Sequence, residues 1–114
     1  MKLVTASLLR KARLCSMGIE KFKYRHPNGI GIRRVINEWT DGPQLDDIYG
    51  AVDNLHYRIK LDDQREKEYQ ELIEKLDEED DNEQLVNIED DARAIYLNHI
   101  PLLEYMIELG HKLW

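Results

Sequence analysis

Residues 45–60 read LDDIYGAVDNLHYRIK, a segment whose apolar side chains recur at the spacing of one helix face. They occupy positions i, i+3, i+4, i+7 and i+11, which are Ile48, Ala51, Val52, Leu55 and Ile59. This stripe predicts an amphipathic helix that buries one side against the rest of the chain. Gly50 lowers helix stability by about 1 kcal/mol relative to alanine, so we expect either tight packing or a soft helix at that position.

The helical period continues on both sides of this segment. Helices are predicted over 6–15, from Ser16 to the turn at 26–29, and over 32–40, 63–79, 89–99 and 101–110. Whether 45–79 forms one helix or two stays open, although Asp63 as N-cap with Glu66 three residues later offers a capping box for a new helix. The 114 residues therefore predict an all-α fold, a compact single-domain bundle of five to seven helices.

Short-range signals predict how some of these segments begin and end. Thr5 is a suitable N-cap for the first helix, and Gly110 is a suitable C-terminal stop for the last. The segment 30–32 is compatible with a short extended piece, but a strand is not predicted there, because no obvious segment pairs with it. Cys15 shares a helix face with a leucine and an alanine, so we expect a buried core thiol rather than a nucleophile.

The composition differs along the single domain, 1–114. Basic helices are expected in 1–40, acidic helices in 45–81 and apolar helices in 89–114. The last helix is apolar on more than one side, through Leu102, Leu103, Met106, Ile107 and Leu109. It is therefore either the central core helix or a homodimer surface.

The net charge of −7 hides two blocks of opposite sign. Residues 1–40 carry nine Lys/Arg and two Glu, a net charge of +7, and residues 62–91 carry fifteen Asp/Glu and three Lys/Arg, a net charge of −12. In one interpretation the two blocks neutralise each other within the molecule. In the other, the acidic block faces outward and steers a basic partner towards it.

Motifs for catalysis or metal binding do not stand out. The sequence has one cysteine and four histidines without zinc-site spacing, and it lacks P-loop, dinucleotide and G-x-S-x-G motifs. Glu108 and His111 form a single E-x-x-H where a di-iron bundle uses two. In the calcium-loop-like segment 78–89, Glu83 stands where the loop requires glycine. We expect no enzyme activity, no cofactor, no metal and no membrane span, and a cytoplasmic location.

Residues 8–39 resemble an N-terminal helical module of small phage and prophage proteins of mostly uncharacterised function. The matching residues are Leu9, Ala12, Cys15, Gly18, Phe22, Pro27 and Gly29. The match departs at Leu14, where those proteins usually have a small residue before the cysteine. The resemblance implies a viral origin and no reaction, and small acidic phage proteins are often inhibitors of host nucleases or defence complexes.

The leading hypothesis is a non-enzymatic phage-type protein that binds and inhibits a host protein with a basic surface, with DNA mimicry as one route. The predicted partner-binding residues are Asp62, Asp63, Glu66, Glu74, Asp77, Glu78, Glu79, Asp80, Asp81 and Glu83. If exposed, Tyr69, Tyr105 and Trp114 would serve as apolar anchors.

Two alternatives belong to other classes. One is a nucleic-acid-binding regulator that uses Tyr24 and the basic positions Arg10, Lys11, Arg13, Lys21, Lys23, Arg25, Arg33 and Arg34. The helices around 16–18 have a helix-turn-helix-like spacing, but the pI near 5.1 makes nucleic acid the less expected partner. The other alternative is an assembly protein whose last helix forms a homodimer.

Overall fold

The computed structural model describes residues 2–38, 44–80 and 88–113. In chain order these parts form β1 (Leu3–Val4), α1 (Ala6–Lys11), α2 (Ser16–Arg25), β2 (Ile30–Gly31), α3 (Ile32–Glu38), α4 (Gln44–Arg58), α5 (Asp63–Asp80), α6 (Ile88–Leu97) and α7 (Ile100–His111). The predicted all-α bundle is confirmed, with seven helices and one short strand pair in the described parts of the chain.

The α7 helix is the centre of the bundle. It packs against α1, α3, α4 and α5, and its side chains at 102, 103, 106 and 107 are all buried. Pro101 lies in the first turn, where its missing N–H has no helical acceptor to lose. Of the two roles left open for this helix, the core role is correct. Met106 and Ile107 are covered by the chain itself, as the core role requires.

Gly110 is part of α7, and the prediction that it ends the helix was wrong. It is buried at the point where α7 meets α1 and α4. A Cβ atom there would lie 2.7 Å from Leu8 Cδ1 and 3.0 Å from Leu55 Cδ2. The missing side chain therefore allows three helices to approach one another, which local sequence signals do not reveal.

The segment 30–32 was predicted to contain no strand, and this was wrong for its first two residues. β2 pairs antiparallel with β1, with Leu3 opposite Gly31 and Val4 opposite Ile30. Gly29 precedes this pair with φ +86°, and a Cβ there would lie 2.9 Å from the Val4 carbonyl oxygen. The partner strand lies near the chain start, too far along the sequence for a local pattern to identify it.

The segment 45–79 contains two helices rather than one. Asp62 caps α5 by accepting a hydrogen bond from the Arg65 backbone N–H at 2.8 Å, so the cap is one residue before the predicted Asp63. Glu66 does not close a capping box, because its carboxylate binds His56 instead. Nothing lies within 4 Å of a Cβ built on Gly50, so tight packing does not explain that glycine.

Side chains from distant elements hold the helix ends together. The Asn54 amide of α4 donates to the Ala12 carbonyl at 2.7 Å, and the Arg93 guanidinium of α6 donates to the Ile36 carbonyl at 2.9 Å. His111 donates to the Leu3 carbonyl at 2.6 Å. Each bond satisfies a backbone oxygen near the end of a short element, so α1, α3 and β1 are fixed to the core helices.

Candidate functional site

The α1–α2 corner begins with two short helices joined by residues 12–15. Thr5 caps α1, as predicted, by accepting a hydrogen bond from the Leu8 N–H at 3.1 Å. At the other end the Arg13 N–H donates to Arg10 O and the Leu14 N–H donates to Leu9 O, both at 3.0 Å. These paired bonds form a Schellman turn. Arg13 occupies its left-handed position with φ +55°, where glycine is the usual residue.

This turn changes the expected surroundings of Cys15. Because α1 ends at Lys11 instead of continuing to residue 15, Cys15 leaves the apolar helix face and becomes the exposed residue before α2. The prediction of a buried thiol was therefore wrong. Ser16 is the first residue of α2, and Gly18 lies inside the first turn of that helix.

The α2 helix has an apolar inner face and a solvent-facing outer face. Ile19 and Phe22 are buried on the inner face, and α2 packs chiefly against α1. On the opposite side, Met17, Lys21 and Tyr24 follow one another at i, i+4 and i+7. Met17 is 72% exposed and Tyr24 is 90% exposed. These three residues are called the α2 outer face below.

Cations are frequent in α2 and in the neighbouring segments of the chain. The exposed ones lie in α1, the turn, α2 and the start of α3: Arg10, Arg13, Lys21, Lys23, Arg25, Arg33 and Arg34. Arg34 forms an ion pair with Glu38 at 2.8 Å within α3. Lys11 is the exception among the predicted basic residues, because it is half-buried and donates to the His111 carbonyl at 3.2 Å. We call the six exposed cations other than Arg34 the basic surface.

The predicted acidic residues do not form one uniform site. Exposed carboxylates follow the side of α5 opposite to its buried face: Asp63, Glu71, Glu74, Asp77 and Glu78. Asp62 is the helix cap, and Glu66 is half-buried. Glu79 and Asp80 end α5, but their side chains lie outside the described residues, as do residues Asp81 and Glu83.

Neither Tyr69 nor Tyr105, two of the three apolar anchors proposed on condition of exposure, is fully exposed. Tyr69 is buried in the core. Tyr105 is half-buried, and the Arg65 guanidinium lies 4.9 Å above its ring centre, joining α5 to α7. Trp114 lies outside the described residues.

Four side chains form a cluster at the corner between α4 and α5 that the sequence did not predict. His56 Nε2 lies 2.8 Å from Glu66 Oε2, and the His56 ring stacks on Tyr69 with 3.9 Å between ring centres. The Tyr69 hydroxyl donates to Asp53 at 3.2 Å. One sequence signal could have indicated this cluster. Asp53 and His56 are spaced i, i+3 on α4, and Glu66 and Tyr69 have the same spacing on α5. This cluster fixes the angle of the corner.

The titration of this cluster supports a structural role. Burial, with the neighbouring Asp53 carboxylate, raises the pKa of Tyr69, so its hydroxyl stays protonated and acts as a hydrogen-bond donor. The hydrogen bonds from His56 and then Gln70 lower the pKa of Glu66. Within the described ranges, no three potential ligand residues cluster to hold a metal ion. No helix there is both long and apolar enough to cross a membrane.

No protein-family model, curated protein or solved structure matches the chain. The resemblance of residues 8–39 to phage proteins therefore stays a prediction. The surfaces available for a functional proposal are the α2 outer face with the basic surface, and the acidic side of α5.

Proposed function

We propose that the protein binds nucleic acid through the basic surface and the α2 outer face. The observation that carries this proposal is that Met17 and Tyr24 protrude from α2 with Lys21 between them. Cations supply the sequence-independent attraction to phosphates, and an exposed aromatic ring among them is typical of nucleic-acid surfaces. For the acidic side of α5, charge is the one feature that supports a binding role. Charged helix faces are commonly just solvated surface.

The acidic block was the main argument against this function. In the fold, α5 packs against α6 and α7, whereas α2 packs chiefly against α1. The exposed carboxylates of α5 also lie on the side of that helix opposite to its packed face. The two helices are thus not among each other's main packing partners, and binding of a nucleic acid to α2 does not require contact with α5. At low salt the long-range repulsion from α5 reduces the affinity but does not block the contact.

The test is fluorescence anisotropy of labelled nucleic acids titrated with the full chain at several salt concentrations. We expect log affinity to fall linearly with log salt concentration, with a slope of about −0.9 per phosphate contacted on a duplex. Replacing Lys23 and Arg33 with glutamine should flatten the slope by about 2. The matched control replaces Lys67 and Lys75, two exposed lysines of α5, and should leave the slope unchanged. Absence of binding at low salt would contradict the proposal.

A second candidate function follows from the exposed carboxylates of α5. They favour docking of a protein with a basic surface, as in the inhibitor hypothesis, and the charge would act mainly on the association rate. Replacing Glu74, Asp77 and Glu78 with lysine should slow association with such a partner steeply, and high salt should slow the wild type similarly. A partner that binds wild type and this variant at equal rates would exclude α5 as the docking surface.

A further inference from the structure

We propose that α1, the connection 12–15 and α2 form a helix-turn-helix unit that binds double-stranded DNA, with the α2 outer face in the major groove. This inference rests on the proposed nucleic-acid binding and names the polymer and the contacting residues. In such units the second helix enters the major groove while the first crosses the backbone.

The connection has the construction that this arrangement requires. Helix-turn-helix units join their helices by three or four residues, often including a glycine. Here four residues separate α1 from α2, and the Schellman turn at Arg13 supplies the left-handed backbone position that glycine usually fills. Leu14, next in the turn, is packed against the core. The turn is therefore a fixed corner.

Apolar contacts on the inner side hold the two helices together. The α1 contribution is Leu8 and Ala12, both buried, and the α2 contribution is Ile19 and Phe22, also buried. These buried residues place the apolar packing of α2 on its inner side, and the exposed Met17 and Tyr24 lie on the opposite side. The opposite face is left for a ligand as long as α2 itself.

The dimensions of α2 suit the major groove of B-DNA. An α-helix with its side chains is about 10–12 Å in diameter, which fits the groove width of about 12 Å. The ten residues of α2 give it a length of about 15 Å at 1.5 Å per residue. Met17 and Tyr24 are seven residues apart, which places them about 10 Å apart along the helix, close to the length of three base-pair steps. One α2 helix therefore contacts about three or four base pairs.

The side chains divide between base contacts and phosphate contacts. Lys21, at the centre of the outer face, is suited to the O6 and N7 acceptors of guanine, while Met17 and Tyr24 are suited to thymine methyl groups. Glu20, exposed beside them, repels phosphates and accepts a hydrogen bond from the cytosine amino group. The cations that flank this face, including Arg13 and Lys23, are placed to contact phosphates on either side of the groove.

The same features disfavour RNA and single strands. The major groove of A-form RNA is deep and narrow, so side chains on a helix do not reach its bases. Proteins that hold single strands stack successive bases on several aromatic rings. The α2 helix presents one exposed ring, Tyr24, among its described residues. Duplex DNA is therefore the polymer that fits.

The first experiment compares three polymers of matched length: duplex DNA, duplex RNA and single-stranded DNA. The full chain is titrated into each by fluorescence anisotropy at moderate salt, after selection of preferred sequences from a randomised duplex library. We expect duplex DNA to bind at least about tenfold tighter than either competitor. Equal or tighter binding to RNA or to single strands overturns this inference while leaving the proposed function intact. If no polymer binds at moderate salt, the titrations are repeated at low salt, and absence of binding there overturns both.

The second experiment uses variants on the selected duplex. Lys21→Gln should reduce the preference for the selected sequence over a random duplex by about tenfold, and Tyr24→Ala should reduce it measurably. Tyr57→Ala is the matched control, because Tyr57 is 81% exposed on α4. Lys23→Gln should lower the affinity for both duplexes alike. If Lys21→Gln and Tyr24→Ala keep the wild-type preference with a wild-type melting temperature, α2 is not the recognition helix.

Discussion

Two glycines on neighbouring helices give the sharpest test of the packing, because the same substitution should have opposite effects at them. In Gly110→Ala the new Cβ meets Leu8 Cδ1 at 2.7 Å and Leu55 Cδ2 at 3.0 Å. Both leucines are buried and line an apolar cavity of about 40 Å³, so each must shift towards that cavity to make room for the new methyl group. In Gly50→Ala the new Cβ meets nothing within 4 Å.

The magnitudes follow from two competing effects. Alanine improves on glycine inside a helix by about 1 kcal/mol at either position. Forcing a methyl group into a packed core costs about 1–3 kcal/mol, and the contacts at 2.7 Å and 3.0 Å require both leucine side chains to shift. We therefore expect Gly110→Ala to lower the free energy of unfolding by up to about 2 kcal/mol, and Gly50→Ala to raise it by about 0.5–1 kcal/mol.

The assay is urea unfolding followed by circular dichroism at 222 nm, with the urea dependence of the free energy fitted for each protein. The midpoints of the two variants should lie on opposite sides of the wild-type midpoint, with unchanged slopes. If Gly110→Ala stabilises the protein as much as Gly50→Ala does, α7 does not contact α1 and α4 as described, and the account of the core is wrong.

Three further substitutions test other parts of the fold. Arg13→Gly should raise the free energy of unfolding by about 0.5–1 kcal/mol, because the left-handed conformation favours glycine; a decrease in urea unfolding would contradict the turn geometry. Val52→Ile extends into an apolar cavity of about 40 Å³ among α1, α3, α4 and α7 and should add about 1 kcal/mol, whereas a loss would indicate a filled core. The lowered pKa of Glu66 stabilises the fold above the ordinary glutamate value of 4.5, and this stabilisation is lost as the pH falls below it. The melting temperature of Glu66→Gln should therefore fall less between pH 6 and pH 3 than that of the wild type. Identical pH profiles would contradict a stabilising role of the Glu66 carboxylate at the α4–α5 corner.

Much of the fold was predictable because it depends on the regular spacing of apolar residues within each helix. The stripe from Ile48 to Ile59 and the apolar run of the last helix each predict their helix, and the structure places both in the core. Thr5 was also identified as a cap because its acceptor role needs only the next three residues. Such features depend on residues that are close together in the sequence, so a sequence pattern is sufficient to predict them.

The errors arose where the deciding contact is distant. Gly110 looks like a helix stop until Leu8 and Leu55 are known to lie against it. The strand at 30–31 requires its partner at 3–4. Cys15 was misplaced because an arginine occupies the left-handed position in the turn, where a glycine would have marked the end of α1.

The candidate site was only partly visible in the sequence. Its basic residues and Tyr24 could be identified by type, and the charge separation between the two halves of the chain could be counted. The division of α2 into a packed face and a solvent-facing side required the turn geometry. The His56–Glu66 pair required the corner between α4 and α5.

The most direct test of DNA binding through α2 is a map of backbone amide chemical shifts in the ¹⁵N-labelled full chain as the selected duplex DNA is added. We predict that the perturbed amides cluster in the connection 12–15, in α2 and near Arg33, and that the amides of α5 from 63 to 78 stay unchanged. Perturbations confined to α5, or none at duplex concentrations that saturate the anisotropy signal, would contradict the assignment of α2 as the DNA-binding helix.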